Sequence, residues 1–190
     1  MGEIKLTREE LVRAILKEIG ENPNREGLID TPNRVSKMWS EVFKGYDKSQ
    51  KPKVTVFNNH NDGVSYNQMI IDKGYFFSHC EHHMAVFFGN YFFSYIPNKK
   101  VVGLSKIARI VDWYSSKLQV QERLTKEIVD EFEKLLEPKG IMLVMKARHM
   151  CKEMRGVKKV GGEMITSDVR GVFARDINAR QEFLSLIKEK

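Results

Sequence analysis

The chain has 190 residues, of which 42% are hydrophobic and 30% charged, with a formal net charge of +7. This composition suits one compact domain, with or without a helical arm, and excludes a disordered, collagen-like or disulfide-rich chain. No apolar run approaches the roughly 20 residues of a membrane-spanning helix, so we expect no membrane contact. The two cysteines cannot form a disulfide framework, which predicts a cytoplasmic protein.

The positive charge has two interpretations: a solvated basic surface, or a binding site for a polyphosphate substrate or nucleic acid. No run of five basic residues occurs, and no basic tail is interleaved with aromatic residues. We therefore expect no nucleic-acid partner, and a polyphosphate remains as the functional interpretation of the charge.

Residues 1–50 are predicted to form a helical arm. Thr7 and Glu10 have the spacing of a capping box, and the first helix is expected to end at Gly20. Thr31 is the predicted N-cap of a second helix, with Pro32 in its first position. Both helices carry an apolar stripe that we expect to face the core. The stripes consist of Leu11, Ile15, Leu16 and Ile19 in the first helix and Val35, Met38, Trp39 and Val42 in the second.

Residues 51–190 are predicted to form a single α+β domain. Strands are predicted from β-branched and aromatic content at 53–57, 70–78, 85–96, 141–148 and 164–173. Helices are predicted after Ser105, from about 119 to 136, and at 178–188. This order contains a β-β-α-α-β-β unit, an antiparallel sheet with two helices on one face. Because an open four-stranded sheet exposes two edges, we expect an oligomer that closes its sheets into a barrel.

Two short clusters, Cys80–His83 and His149–Cys151, hold both cysteines and three of the five histidines. Cys80 and His83, spaced i, i+3, together with Cys151 can give a metal three ligands and leave its fourth position open. An open position is what hydrolytic zinc needs, because the ion lowers the pKa of a water there to about 7. The pattern therefore predicts a catalytic zinc site.

Other roles for these clusters remain open. His82 and His149 would lie beside the metal, where imidazoles suit acid–base catalysis, or each could only orient a neighbour by a hydrogen bond. The cysteines could be buried and inert, or His79 or His82 could complete a structural zinc site. A redox pair is a further alternative, although the chain contains no Cys-X-X-Cys motif.

Two more segments carry groups suited to a nucleotide. Ser105 at a predicted helix N-cap, with Lys106 and Arg109 on one helical face, could hold phosphate, although such a helix start is usually solvent-facing. Glu122 could accept hydrogen bonds from the N1–H and 2-amino groups of guanine. A polar helix N-terminus would equally explain Glu122.

The motifs CEHH, GLSKIARIVDWYSSKLQVQERLT, HMCKEMRG and TSDVRGVF, in this order and spacing, closely resemble GTP cyclohydrolase I. The resemblance runs from about TPNRV to the C-terminus. It implies the tunnelling fold and a homo-oligomeric barrel, usually a decamer of two pentamers, with sites between subunits. It also implies zinc-dependent conversion of GTP and water into formate and 7,8-dihydroneopterin triphosphate. That reaction begins folate (tetrahydrofolate), biopterin or deazaguanine biosynthesis.

The resemblance also assigns roles residue by residue. Cys80, His83 and Cys151 resemble the zinc ligands. His149 resembles the proton donor at the purine N7, and His82 the second catalytic histidine near the ribose. The residues that resemble the guanine anchor are Glu122 and, as its helper, Gln121. The residues that match triphosphate contacts are Ser105, Lys106, Arg109, Arg155 and Arg34.

The chain departs from the family pattern at two places. Residues 161–164 read Gly-Gly-Glu-Met where many relatives carry small hydroxyl residues, and Asp168 stands where a small or hydroxyl residue is common. Extra acid near a triphosphate pocket would weaken substrate binding or reposition a loop.

Two other functions stay open on the sequence. One is a non-catalytic, zinc-stabilised oligomer that binds nucleotides or RNA. The other is another tunnelling-fold enzyme acting on a purine or pterin. The HMC motif beside CEHH favours the cyclohydrolase, because both zinc cysteines are then present.

Overall fold

A computed structural model describes residues 6–60 and 63–188 of the chain. The chain divides into two compact units, Met1–Lys44 and Gly45–Lys190. The helices are α1 (Arg8–Glu18), α2 (Thr31–Val42), α3 (Leu104–Ser115), α4 (Gln121–Leu136), α5 (Met150–Glu153), α6 (Val172–Arg175) and α7 (Ile177–Leu186). The strands are β1 (Val56–Asn58), β2 (Ile70–Cys80), β3 (Val86–Ile96), β4 (Lys100–Val102), β5 (Leu118–Gln119), β6 (Gly140–His149) and β7 (Glu163–Gly171). Short 3-10 turns lie at Lys44–Tyr46 and Lys48–Gln50.

The first unit contains α1 packed against α2. The capping box at Thr7 is confirmed: its hydroxyl accepts from the Glu10 backbone N–H, and the Glu10 carboxylate accepts from the Thr7 N–H at 2.7 Å. The predicted start of α2 is wrong by one residue, because Thr31 is already helical and Asp30 is the N-cap.

The prediction that both apolar stripes face a core is also wrong. In α1, Leu16 and Val12 are buried, whereas Leu11, Ile15 and Ile19 are exposed. In α2, Met38 is exposed, and the rest of its stripe is only half-buried. The physical reason is that one helix covers only a narrow stripe of its neighbour, so a wide apolar face stays partly open.

The second unit is built on a five-stranded sheet with the order β5-β2-β3-β6-β7. Neighbouring strands are antiparallel except that the two-residue β5 runs parallel to β2. The predicted antiparallel pair around CEHH is confirmed by the β2–β3 hairpin. β1 pairs with β4 in a separate two-stranded sheet. The α+β fold class predicted from the sequence is therefore confirmed.

Helices α3 and α4 pack on one face of the sheet, as predicted. Ile110 of α3 and Phe132 of α4 are fully buried there, and the ring of Phe132 lies 4.7 Å from that of Phe93 on β3. The sequence assigned no helix to the other face of the sheet. Phe173 of α6 and Phe183 of α7 pack onto part of it and form a second, smaller core.

The β3–β6 pairing is unusually close near the predicted catalytic cluster. A Cβ atom on Gly89 would lie 1.9 Å from the carbonyl oxygen of Lys146, so only glycine fits this approach. Gly89 pairs with Ala147, and two residues further along Phe87 pairs with His149. The close ladder therefore fixes where His149 leaves the sheet.

Within the described residues, no helix combines the length and the apolar character needed to cross a membrane.

Candidate metal centre and nucleotide site

The CEHH motif forms the tight turn between β2 and β3. The turn is closed by backbone hydrogen bonds from Cys80 N to Ala85 O (2.8 Å) and from Met84 N to Cys80 O (2.8 Å), and Met84 adopts the left-handed conformation (φ 53°). Glu81 pairs with Arg123 of α4, and its N–H donates to the carbonyl of Gln119 at 3.0 Å. The turn is therefore anchored to α4 and β5.

Three side chains predicted as metal ligands converge at this turn. One ligand atom each from Cys80, His83 and Cys151 lies within 4.8 Å of the other two. The Cys80 Sγ–His83 Nδ1 distance is 3.8 Å, close to the separation of about 3.6 Å expected for sulfur and nitrogen on one tetrahedral zinc ion. The donor set and its spacing fit zinc.

The electrostatics of the two thiols also fit a cation. Burial, and then the neighbouring Cys80 sulfur, raise the pKa of the Cys151 thiol. Two adjacent thiolates repel each other in a half-buried place, and a divalent cation removes that penalty. Both cysteines are free thiols.

The structure argues against a fourth protein ligand among the described residues. His79 precedes Cys80 on β2, and side chains alternate along a strand, so His79 lies on the opposite face of the sheet from Cys80. His82 lies nearer, with Nδ1 3.7 Å from Cys80 Sγ, but it does not join the converging group within the part of the chain that the structure describes. Its side chain is 64% exposed.

His149, the last residue of β6, is held on two sides. Its ring stacks on Phe87 with a centroid distance of 4.6 Å and an interplanar angle of 4°. Its Nε2 lies 2.8 Å from Oε1 of Gln121. Burial lowers the pKa of His149, with Glu122 opposing this shift and Lys152 reinforcing it. A neutral, oriented imidazole two residues before the predicted ligand Cys151 is suited to proton transfer.

Glu153 is a residue that sequence reasoning missed. Its side chain is nearly buried and accepts two hydrogen bonds from Arg148, at 3.0 and 2.6 Å, and one from the N–H of Gly161 at 3.2 Å. These bonds bracket His149 and Cys151 and close the following loop onto α5. No spacing rule marks such an acid, because its partners are set by the fold of the loop.

Replacing Glu153 by glutamine should lower the midpoint of thermal unfolding at neutral pH. The Arg148 guanidinium lowers the pKa of Glu153 below its ordinary 4.5, against an opposing effect of burial and with support from the Gly161 N–H. A lowered carboxyl pKa stabilises the fold above the unfolded-state pKa, and that contribution is lost as pH falls through the folded-state pKa. The difference between Glu153→Gln and the parent should therefore shrink below pH 4.5.

Thermal unfolding of both proteins from about pH 7 to about pH 3 measures this effect. Glu182→Gln is the matched control, because Glu182 is an exposed acid on α7, and it should show little difference at any pH. A Glu153→Gln deficit that stayed constant with pH would contradict a role for the carboxylate charge.

A cavity of about 470 Å³ lies between the start of α4 and β7. Glu122, Lys126 and Asp168 are among the residues that line it. Asp168, flagged as a departure, receives two hydrogen bonds from Arg170, at 3.0 and 2.7 Å. This contact is the chief cause that raises the pKa of Arg170. Arg170 also pairs with Asp130 and Glu133, so its guanidinium offsets the charge of Asp168 in part.

The predicted phosphate-binding residues lie on three separate elements. The prediction that Ser105 is an N-cap is wrong: α3 begins at Leu104 with Gly103 as its N-cap, because Gly103 already has the extended conformation of a capping residue. Ser105 and Arg109 are exposed in the first turns of α3 and Lys106 is half-buried.

The other two predicted phosphate-binding residues are arginines. Arg155 is exposed just after α5, and its charge lowers the pKa of Cys151, against the larger effect of burial. Arg34 lies in the first unit, on α2, where it pairs with Asp30 at 3.4 Å.

The fold and this cluster define an α+β protein with a two-thiol, one-imidazole centre suited to zinc. The family model for GTP cyclohydrolase I matches residues 8–188, and the chain belongs to that family.

Proteins with the name GTP cyclohydrolase 1 are similar over nearly the whole length. The protein of Wolinella succinogenes is 44% identical over 188 residues, covering 99% of this chain and 100% of that protein. The protein of Geobacillus kaustophilus is 49% identical over 191 residues, covering 99% and 100%. The protein of Campylobacter jejuni subsp. jejuni is 47% identical over 180 residues, covering 94% and 93%.

Proposed function

We propose that this protein is a GTP cyclohydrolase I enzyme that hydrolyses the purine ring of GTP, releasing formate and forming 7,8-dihydroneopterin triphosphate. The observation that carries the proposal is the convergence of Cys80, His83 and Cys151, with an oriented His149 two residues before Cys151. Membership of the family over residues 8–188 supports it. The alternative, a non-catalytic zinc-stabilised oligomer, would need the three metal-binding residues but would not need an oriented histidine.

Cys80, His83 and Cys151 are the proposed zinc ligands, and the remaining position on the metal would be open to water and substrate. A bound zinc ion would supply Lewis-acid activation of the attacking water. His149 exchanges a proton with the imidazole part of the purine, which is a poor electrophile until N7 is protonated. His82, exposed at the same turn, serves the later rearrangement of the ribose. Ring closure follows the loss of formate.

Glu122 is the proposed guanine anchor. Its side chain lines the 470 Å³ cavity, and a carboxylate can accept from both N1–H and the 2-amino group of guanine. Asp168 lines the same cavity but forms an ion pair with Arg170. Glu122 is therefore the carboxylate proposed to bind the guanine base.

Glu122→Gln should raise KM for GTP by about 10- to 100-fold, because a charge-assisted pair of hydrogen bonds is lost. Inosine triphosphate lacks the 2-amino group, so its KM should change much less. Steady-state kinetics with both nucleotides measure the difference. Glu127→Gln, on the same helix but outside the cavity lining, is the control. Equal losses for both nucleotides would contradict guanine recognition by Glu122.

The triphosphate contacts are proposed to be Ser105, Lys106, Arg109 and Arg155. The first three share the start of α3, where backbone N–H groups and side chains can meet an anion. Arg155 lies near Cys151, which suits a phosphate chain extending away from the reacting ring. For Arg34 the proposal rests on the family resemblance alone.

A homo-oligomeric barrel of tunnelling-fold subunits, with a decamer as the expected state, is proposed from two features of the second unit. Strand β7 has nine residues and no partner on its outer side among the described residues, and such an edge invites pairing. On the sheet face that α6 and α7 leave open, Phe77 is 63% and Ile165 60% exposed. The substrate sites would then lie between subunits, and residues of a neighbouring subunit would complete each pocket.

The domain boundaries are also a proposal: a helical arm at 1–50 and a catalytic domain at 51–190. A cytoplasmic location is proposed because the two cysteines are free thiols, as a zinc site requires.

Incubation of the full-length protein with GTP tests the function. We expect formate and, after oxidation, a fluorescent pterin, with turnover lost on treatment with a zinc chelator and restored by zinc. ATP serves as the control nucleotide and should give neither product. GTP that binds but is recovered intact would contradict the enzyme and support the non-catalytic zinc-stabilised oligomer.

A further inference from the structure

Gln121, the first residue of α4, is only 1% exposed, and its side-chain amide is engaged on both ends. Its Nε2 lies 3.0 Å from the carbonyl oxygen of Met145 on β6 and 3.1 Å from that of Met164 on β7. Its Oε1 lies 2.8 Å from Nε2 of His149. The amide therefore joins the start of α4 to two strands and to the proposed catalytic histidine.

The orientation of this amide follows from its partners. The carbonyl oxygens of Met145 and Met164 can only accept hydrogen bonds, so the amide nitrogen must face them and the amide oxygen must face His149. Turning the amide over would place its oxygen against the carbonyl oxygens of Met145 and Met164, which can only accept.

The hydroxyl groups nearby agree with the same assignment. Thr125 donates to the backbone carbonyl of Gln121 at 2.8 Å, so Thr166 donates to the Thr125 hydroxyl oxygen at 2.7 Å. The Thr166 hydroxyl oxygen lies 3.1 Å from Nε2 of Gln121. It can therefore accept a bifurcated hydrogen bond from the Gln121 amide. Every donor in the network has an acceptor, which leaves the Gln121 oxygen as an acceptor for His149.

The orientation of the Gln121 amide determines which ring nitrogen of His149 carries the proton. Facing an amide oxygen, Nε2 must be the protonated nitrogen. The stacking on Phe87 fixes the plane of the ring. Nδ1 has no hydrogen-bond partner within residues 6–60 and 63–188 and is not sealed from solvent.

We propose that Gln121 is a positioning residue that holds the His149 proton on Nε2 and leaves Nδ1 as the nitrogen that exchanges a proton with the substrate. The second part rests on the proposed function; the first part does not. This positioning role replaces the guanine contact expected for Gln121, because both ends of the Gln121 amide are already hydrogen-bonded within the protein.

The assignment constrains the chemistry of the ring. A neutral His149 in this form can only accept at Nδ1. It can protonate the purine N7 from Nδ1 only after taking up a proton there, and it then returns to the neutral form with the Nε2 proton unchanged. Gln121 accepts from Nε2 throughout, so the ring need not turn during the transfer.

Solid-state nitrogen NMR of the zinc-loaded, full-length protein with ¹⁵N-labelled histidine tests the first part without using activity. The spectrum of His149→Gln, compared with the parent, identifies the His149 signals. We expect a protonated Nε2 whose proton exchanges slowly with water, and an unprotonated Nδ1. A proton found on Nδ1 with Nε2 bare would overturn the proposal.

Variants separate the acceptor from the shape of the side chain. Gln121→Met should lose the slowly exchanging Nε2 proton and lower kcat by about 10- to 100-fold, with KM for GTP changed less than about threefold. Gln121→Glu, in the protonated form whose O–H donates to the Met145 carbonyl, keeps an acceptor for Nε2 and should retain the protected proton. Gln119→Met is the matched control, because Gln119 is equally buried but bonds to Tyr114, Arg123 and Glu127 rather than to a histidine. It should retain the His149 signal.

Two outcomes would overturn the proposal in addition to the wrong tautomer. One is a protected Nε2 proton that survives in Gln121→Met. The other is a Gln121→Met variant that raises KM for GTP with kcat unchanged, which would restore a substrate contact. If Gln121→Met does not fold, the proposal is tested by whether the parent and Gln121→Glu spectra show the protected Nε2 proton of His149. A protein with the expected spectrum but no GTP turnover would contradict only the proposed function.

Discussion

Replacing Cys151 by serine is expected to remove the bound zinc and to lower GTP turnover by about 10³-fold or more. Cys151 supplies one of the three converging ligand atoms, and a serine hydroxyl is a poor zinc ligand at neutral pH because it stays protonated. Two remaining ligands, Cys80 and His83, cannot retain the ion in competition with solvent. Metal analysis and formate release, measured on the same preparation, check both effects.

The control for Cys151→Ser is Met154→Leu, an exposed position on the same segment that follows β6. It should retain zinc and turnover, and both variants should keep the circular dichroism of the parent. Full turnover in Cys151→Ser, or zinc retained at one ion per chain, would contradict the ligand role of Cys151.

The second large effect is expected for His149→Ala, which should retain zinc and lose purine ring opening by about 10²- to 10⁴-fold. His149 precedes Cys151 by two residues but is not one of the three converging ligand residues, so its removal leaves the ion in place. Zinc content together with ring opening, followed by the change in GTP absorbance, separates this variant from Cys151→Ser.

His60→Ala is the matched control for His149→Ala, because His60 is an exposed histidine far along the chain from both clusters. It should behave like the parent. Since His149 stacks on Phe87, thermal unfolding must be measured too, to separate lost chemistry from lost packing. Ring opening at the parental rate in a folded His149→Ala protein would contradict the proton-transfer role.

Much of the fold follows from local sequence pattern. The β2–β3 hairpin and helices α3 and α4 have strong periodicity and aromatic or β-branched content, and the structure has each of them within a few residues of its prediction. The elements missed were short: β5 has two residues, β4 has three, and α5 and α6 have four each. Elements of this length are stabilised by tertiary neighbours rather than by their own pattern.

The apolar stripe on α1 shows the opposite error, because a buried face was predicted where most of the side chains are exposed. Ile15 has the spacing of a core residue, yet its side chain is 51% exposed. Periodicity indicates which residues share a helix face, but not whether that face meets a partner within the same chain.

The metal cluster was accessible from the sequence because cysteine and histidine are chemically distinctive and their spacing is short. The roles of Gln121 and Glu153 were not. Their partners depend on strand register and loop closure, such as the pairing that brings Phe87 opposite His149. The departure at Asp168 is explained in the same way, by an arginine two residues later on the same strand.

The Gly161–Gly162 departure also acquires a physical reason. Gly161 has a positive φ of 75° and donates its N–H to the buried Glu153 carboxylate. A residue with a side chain would be strained in this conformation. The loop sequence and Glu153 therefore belong to one arrangement that closes the segment carrying Cys151.

X-ray absorption spectroscopy of the zinc-loaded protein is the most direct measurement of the central claim. The account predicts zinc bound by two sulfurs, one imidazole nitrogen and a single exchangeable light atom, with zinc–sulfur distances of about 2.3 Å. A zinc ion coordinated by four protein side chains, or a shell without both sulfurs, would contradict an open catalytic centre formed by Cys80, His83 and Cys151.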